Sequence, residues 1–147
     1  MSDQPAALPA WDEVRLRLIE REPMLYELEP GGPLAMELGS EDWILEITPD
    51  GRLVCQAGMV MDDIRSLLSE GTPEDLNNDE LAKQAKYYLQ PKAAKVRRTF
   101  LASGFEETTE MNESYVAVTF HRTVDFSEPD EVCRLIRWCR DQFARAA

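Results

Sequence analysis

Histidine is almost missing from this chain. His121 stands alone, and with it go most routes to general base catalysis and to a histidine-rich metal site. Cysteine is scarce as well. Cys55, Cys133 and Cys139 are an odd number spread far apart, with no Cys-x-x-Cys, which argues for free thiols in a reducing cytoplasm rather than a disulfide framework. No window approaches the roughly 18 uncharged apolar residues that a membrane-spanning helix needs. The opening Met1-Ser2-Asp3-Gln4-Pro5 has no basic stretch leading into an apolar one, so no secretion signal is expected. Gly-rich dinucleotide or phosphate loops, metalloprotease helices and nucleophile elbows are all lacking. The expectation is therefore no cofactor, no metal and no assigned catalytic residue, with an enzyme of unfamiliar type the last reading to reach for.

What is present is an uneven distribution of charge. The 147 residues carry a net charge of −12. Residues 1–80 have a net charge of −14 and residues 105–147 of −4. Between them, residues 81–104 hold Lys83, Lys86, Lys92, Lys95, Arg97 and Arg98 and no acid at all. A compact basic island on an acidic protein is either a docking surface for an anionic partner or an internal counterweight to the chain's own acids. The overall acidity argues against general affinity for nucleic acid, though not against a local site.

Length and composition suit one globular domain, with 44% hydrophobic and 30% charged residues. Residues 1–10 read as a flexible tail and 11–147 as a single α+β domain. Trp11, Val14 and Leu18 recur at helical spacing until Pro23 closes the helix near Glu22. A β-like block follows over about 24–57. Met24–Glu29 alternates moderately, Pro30-Gly31-Gly32-Pro33 turns, and Leu34, Met36 and Leu38 alternate with Ala35 and Glu37. Gly39-Ser40-Glu41 turns again into Trp43, Leu45 and Ile47, and Pro49-Asp50-Gly51 is the strongest hairpin signal, leading into Arg52–Ala57. Gly58 is expected to end the sheet segment. An amphipathic helix with Val60, Ile64, Leu67 and Leu68 should run to a cap at Gly71, and Thr72-Pro73 should start another. Leu81, Ala85, Tyr88 and Leu89 form a helical stripe that Pro91 is expected to interrupt, with a further helix carrying Ala93, Val96 and Phe100 to Gly104. A second antiparallel block spans about 105–122, turning near Met111-Asn112. Ser127 is expected to cap the closing helix, whose stripe is Val132, Leu135, Ile136, Cys139 and Phe143. Segregated hairpins and helices indicate an antiparallel sheet packed with N-terminal, central and C-terminal helices.

Several constellations have a plainer explanation than chemistry. His121 falls on the less apolar side of its strand, without a nucleophile or an orienting acid in view. Cys133 and Cys139 point roughly 240° apart around a helix. Asp75-x-Asn77-x-Asp79 begins like a calcium loop, but Glu80 stands where Gly is needed and Lys86 where a bidentate Glu is needed. Asn112-Glu113-Ser114 is a formal glycosylation sequon, most simply a turn.

The basic island and one tryptophan remain. Lys83 and Lys86 lie opposite Leu81, Ala85 and Tyr88, and Lys92, Lys95 and Arg98 lie opposite Ala93, Val96 and Phe100. Trp138 sits about 100° from Cys139, on the flank of the closing stripe, where it either covers another element or meets a partner. The partner-binding residues read from sequence are thus Lys83, Lys86, Lys92, Lys95, Arg98 and Trp138.

The element order and acidity resemble type III secretion chaperones, which are small acidic cytoplasmic dimers. They are built from a helix, a three-strand meander, a helix, a two-strand hairpin and a closing helix. The likeness covers about residues 11–145 and carries no motif, so no site residue follows from it. The helical segment 73–103 and its basic island have no counterpart in that pattern. The resemblance implies a chaperone-like dimer. The composition agrees with a non-enzymatic interaction module or adaptor with an unidentified protein partner. The alternatives are a binder of nucleic acid or another anion through 83–98, and an acidic mimic of nucleic acid using residues 1–80.

Overall fold

A computed structural model describes residues 10–38, 43–60, 78–111 and 114–146. Residues 61–77, which hold the rest of the two expected helices and the Asp75-x-Asn77 segment, the turns at 39–41 and 112–113 and residues 1–9 of the tail lie outside the described residues; Val60, expected in the first of those helices, belongs instead to a strand. The elements are α1 (Trp11–Arg21), β1 (Tyr26–Glu27), β2 (Leu34–Glu37), β3 (Trp43–Ile47), β4 (Arg52–Val60), α2 (Asn78–Ala102), β5 (Glu106–Met111), β6 (Tyr115–Thr123) and α3 (Pro129–Ala146). The fold is α+β. The six strands among the described residues form one antiparallel sheet in the order β1-β2-β3-β4-β6-β5.

Strand parity fixes which side of the sheet is packed. Leu45 and Ile47 of β3, Leu53, Cys55 and Ala57 of β4, and Val116, Val118 and Phe120 of β6 share the face that joins the helices in one core. The two β blocks meet along β4 and β6, which pair over nine residues from Arg52↔Thr123 to Val60↔Tyr115. That pairing corrects the expected strand end at Gly58. Gly58 lies opposite Ala117 inside the ladder, where a Cβ would come within 3.4 Å of the Val116 carbonyl oxygen. Pairing with an equally long partner carries β4 through the glycine. The hairpin turn behaves as its sequence demands: Gly51 has φ +88°. Its carbonyl accepts the Val124 N–H at 2.8 Å, pinning the turn to the chain leaving β6.

The helix α2 is a second correction. It runs unbroken through Pro91, where an interruption was expected. Pro91 is exposed, and the buried stripe Leu81, Ala85, Leu89, Ala93, Val96 and Phe100 continues on both sides of it. The missing N–H costs one helical hydrogen bond, and burial of that continuous stripe outweighs it. The helix ends in a Schellman motif. The Phe105 N–H donates to the Phe100 carbonyl at 3.1 Å and the Gly104 N–H to that of Leu101 at 3.3 Å, with Gly104 at φ +86°. The two phenylalanine rings close the motif at 4.8 Å.

The closing helix begins at Pro129, with Glu128 before it, so Ser127 is not its cap. Ser127 instead donates its N–H (2.9 Å) and its hydroxyl (2.6 Å) to the Asp125 carboxylate, making a turn ahead of the helix. Glu22, only 4% exposed, ties α1 to α3. Its carboxylate accepts from Arg137 Nε at 3.3 Å and Arg140 Nη1 at 3.2 Å.

Candidate interaction surface

The side of α2 away from the core is the basic island. Helical geometry puts the buried stripe on one side, and Lys83, Tyr87, Ala94, Arg98 and Leu101 within roughly 60° of one another on the other. All five are exposed, Tyr87 by 75%. Lys95 is exposed beside this line, and Lys86 is partly exposed on its flank.

The bases divide into two groups. Arg97 faces the hairpin and grips Glu107 with two bonds, Nε to Oε1 at 2.7 Å and Nη2 to Oε2 at 3.0 Å, with Gln90 Oε1 at 2.7 Å from the same Nη2. Lys92 is half-buried and has an interaction partner. Lys83, Lys86, Lys95 and Arg98 make no ion pair or hydrogen bond with a described residue. The expectation of an internal counterweight applies to Arg97. Lys83, Lys95 and Arg98 present charge outward, Lys86 lies partly exposed on the flank opposite Lys95, and residues 81–104 contain no acid.

Aromatic and apolar groups interleave with those charges. Tyr87 and Tyr88 meet edge to face at 6.1 Å. Leu101, 46% exposed, lies at the far end. A solvated helix face of lysines alone would be ordinary. Exposed aromatic and aliphatic groups set between cations make a surface with contact area as well as charge.

Trp138 belongs elsewhere. Its ring is half-buried on α3, 5.0 Å from Phe100 and 6.1 Å from Phe105, so α2 and the hairpin supply its contacts within the chain. The remaining side of Trp138 lines a groove beside the β3–β4 turn. The structure therefore gathers Lys83, Lys86, Lys95 and Arg98 on one helix and places Trp138 in a separate depression. Sequence reasoning missed that depression because its walls come from segments far apart in the chain.

The remaining reactive groups are placed where reactivity is low. His121 is half-buried on the sheet face away from the helices, paired in register with Val54 and Glu106. Burial pushes the Cys55 thiol well above its ordinary range, and a hydrogen bond with Cys139 adds to the rise. Burial also raises Cys133. A thiol held protonated is neither a nucleophile nor a ready metal ligand. Among the described residues, no three His, Cys, Asp or Glu side chains are grouped to hold a metal ion, and no helix is long and apolar enough to cross a membrane.

No family model matches the chain, and no curated protein or solved structure matches it.

Proposed function

We propose that this protein is a non-enzymatic interaction module, adaptor- or chaperone-like, that holds an acidic protein segment on the outer face of α2. One observation carries the reading: Lys83, Lys95 and Arg98 stand exposed, and Lys86 partly so, without described ionic partners on a helix whose acid-free stretch also exposes Tyr87 and Leu101. Cations alone recruit any polyanion; cations set among exposed apolar groups favour a partner that brings both carboxylates and aliphatic side chains. The proposed site of action is the cytoplasm, in keeping with three unpaired cysteines.

Self-association is part of the same proposal. Met24, Tyr26 and Leu28, on or beside the edge strand β1, are exposed, as is Leu16 on α1. Apolar surface of this kind favours pairing of two copies. Light scattering at high micromolar concentration tests it; a strictly monomeric protein contradicts it.

Nucleic acid is the second reading, favoured by the exposed Tyr87 ring beside Lys83. Fluorescence anisotropy with two labelled probes separates the two: a peptide of alternating glutamate and leucine, and a single-stranded oligoribonucleotide. The protein reading expects the peptide to bind more tightly at physiological salt. Lys83→Glu, Lys95→Glu and Arg98→Glu together should abolish that binding while leaving the circular dichroism spectrum intact. Tighter RNA binding with a steep salt slope would replace the first reading with the second.

A further inference from the structure

The depression that holds Trp138 has a volume of about 930 Å³, in the range of sites that enclose a ligand or a few side chains. It lies between the β3–β4 turn, the chain leaving β6 and the first half of α3. Its surface has two parts. Val124, Leu135 and Trp138 are half-buried and apolar, with Phe126 buried behind them. Around them stand Asp50, Asp125, Glu128 and Glu131.

The carboxylates come from three different elements. Glu131 suits the first turn of α3, where the helix dipole favours acids, and it is paired with Arg134. Asp50 belongs to the hairpin turn and Asp125 to the loop after β6, where no helix dipole accounts for them. Among the described residues the Asp50 carboxylate accepts from the Thr48 hydroxyl, and that of Asp125 from the N–H and hydroxyl of Ser127. Glu128 bonds Asp125 and Val132 through its backbone, and its carboxylate makes no bond with a described residue. The other arginine that lines the groove, Arg122, spends its guanidinium elsewhere: it donates to the Ser103 carbonyl at 2.8 Å and stands over the Phe105 ring. Asp50, Asp125 and Glu128 thus stand around an apolar floor, and none of the three makes an ion pair with a described residue.

We infer that this groove is a second docking site, of opposite sign to α2, for a peptide segment in which a bulky apolar side chain is flanked by lysine or arginine. The apolar side chain lies against Leu135 and Trp138, and its basic neighbours meet Asp50, Asp125 and Glu128. The site is independent of the α2 face and would stand if that face bound nothing.

The test uses the full chain and three labelled peptides: Lys-Arg-Trp-Lys-Arg, the same with alanine for tryptophan, and Glu-Glu-Trp-Glu-Glu. The inference expects the first to bind and to shift the backbone amide resonances of 50–51 and 124–138. The other two should bind at least about tenfold more weakly. Asp50→Lys with Glu128→Lys, both on exposed residues, should weaken the first peptide by a similar factor. Leu135→Ser should weaken it while leaving its salt dependence unchanged. Equal binding of the alanine peptide would reduce the effect to the general acidity of the protein and overturn the inference. So would shifts that map outside the groove. Concentration-dependent shifts of the same residues in protein alone, with a dimer by light scattering that Glu128→Lys dissociates, would give the groove to a second copy and overturn it too.

Discussion

The Phe100 ring lies 5.0 Å from that of Trp138, tilted by 46°, and joins the buried face of α2 to the wall of the α3 groove. Phe100 is also 4.8 Å from Phe105, 5.3 Å from Phe120 and 5.2 Å from Phe143. One fully buried ring therefore fixes the helix that carries the basic face against the sheet and against α3. Phe100→Ala should cost about 3–5 kcal/mol of stability. Trp138→Ala should cost less, about 2–3 kcal/mol, since part of its ring is already in water. A double-mutant cycle by urea unfolding should give a coupling of about 0.5–1.5 kcal/mol. A coupling of zero would mean that the two helices are held independently.

The Glu22 carboxylate is buried between Arg137 and Arg140. Removing both arginines would leave a charge in the α1–α3 contact with no partner. The Arg137→Ala, Arg140→Ala pair should lose about 3–5 kcal/mol, and adding Glu22→Met should recover part of the loss. Chemical denaturation of the three proteins checks this, and no recovery on removing the charge would refute the account of that contact.

Pro91 lies inside α2 without an N–H to give to the Tyr87 carbonyl. Pro91→Ala should stabilise the protein by about 1–3 kcal/mol, with no change in the fold. A destabilised variant would show instead that packing of the 81–100 stripe depends on the proline's local geometry.

Glu46 is on the sheet face away from the core, between Ala35 and Val54 in register, and desolvation there raises its pKa above the ordinary 4.5. The native state therefore binds a proton more readily than the unfolded chain at Glu46. Its contribution to stability is best below the unfolded value and is lost as pH rises through the native one. Glu46→Gln should stabilise the protein at pH 7, and the advantage should shrink as pH falls through about 4.5. Thermal melts of both proteins across that range measure it; an advantage independent of pH would contradict the assignment.

The parts legible in sequence were those set by local chemistry. Pro23 ended α1, Pro49-Asp50-Gly51 made the hairpin, and the alternation of Trp43, Leu45 and Ile47 gave both strand and buried face. The outward direction of Lys83, Lys95 and Arg98 followed from helical spacing alone. Misreadings arose where a distant partner overruled a local signal. Gly58 continues a strand because β6 pairs with it, and Pro91 sits within a helix because the stripe on both sides is buried. Lys92 was read as outward with Lys95 and Arg98, but the fold half-buries it against a partner. The groove was invisible because Asp50, Asp125 and Glu128 come to line one depression only after β4 has paired with β6 and α3 has packed back.

Backbone amide NMR of the full chain during titration with the glutamate–leucine peptide tests the central claim most directly. The account predicts shifts along the outer face of α2, centred on Lys83, Tyr87, Arg98 and Leu101, that fade as salt is raised and vanish in the Lys83→Glu, Lys95→Glu, Arg98→Glu protein. Shifts confined to other elements, or a protein that ignores the peptide at low salt, would contradict it.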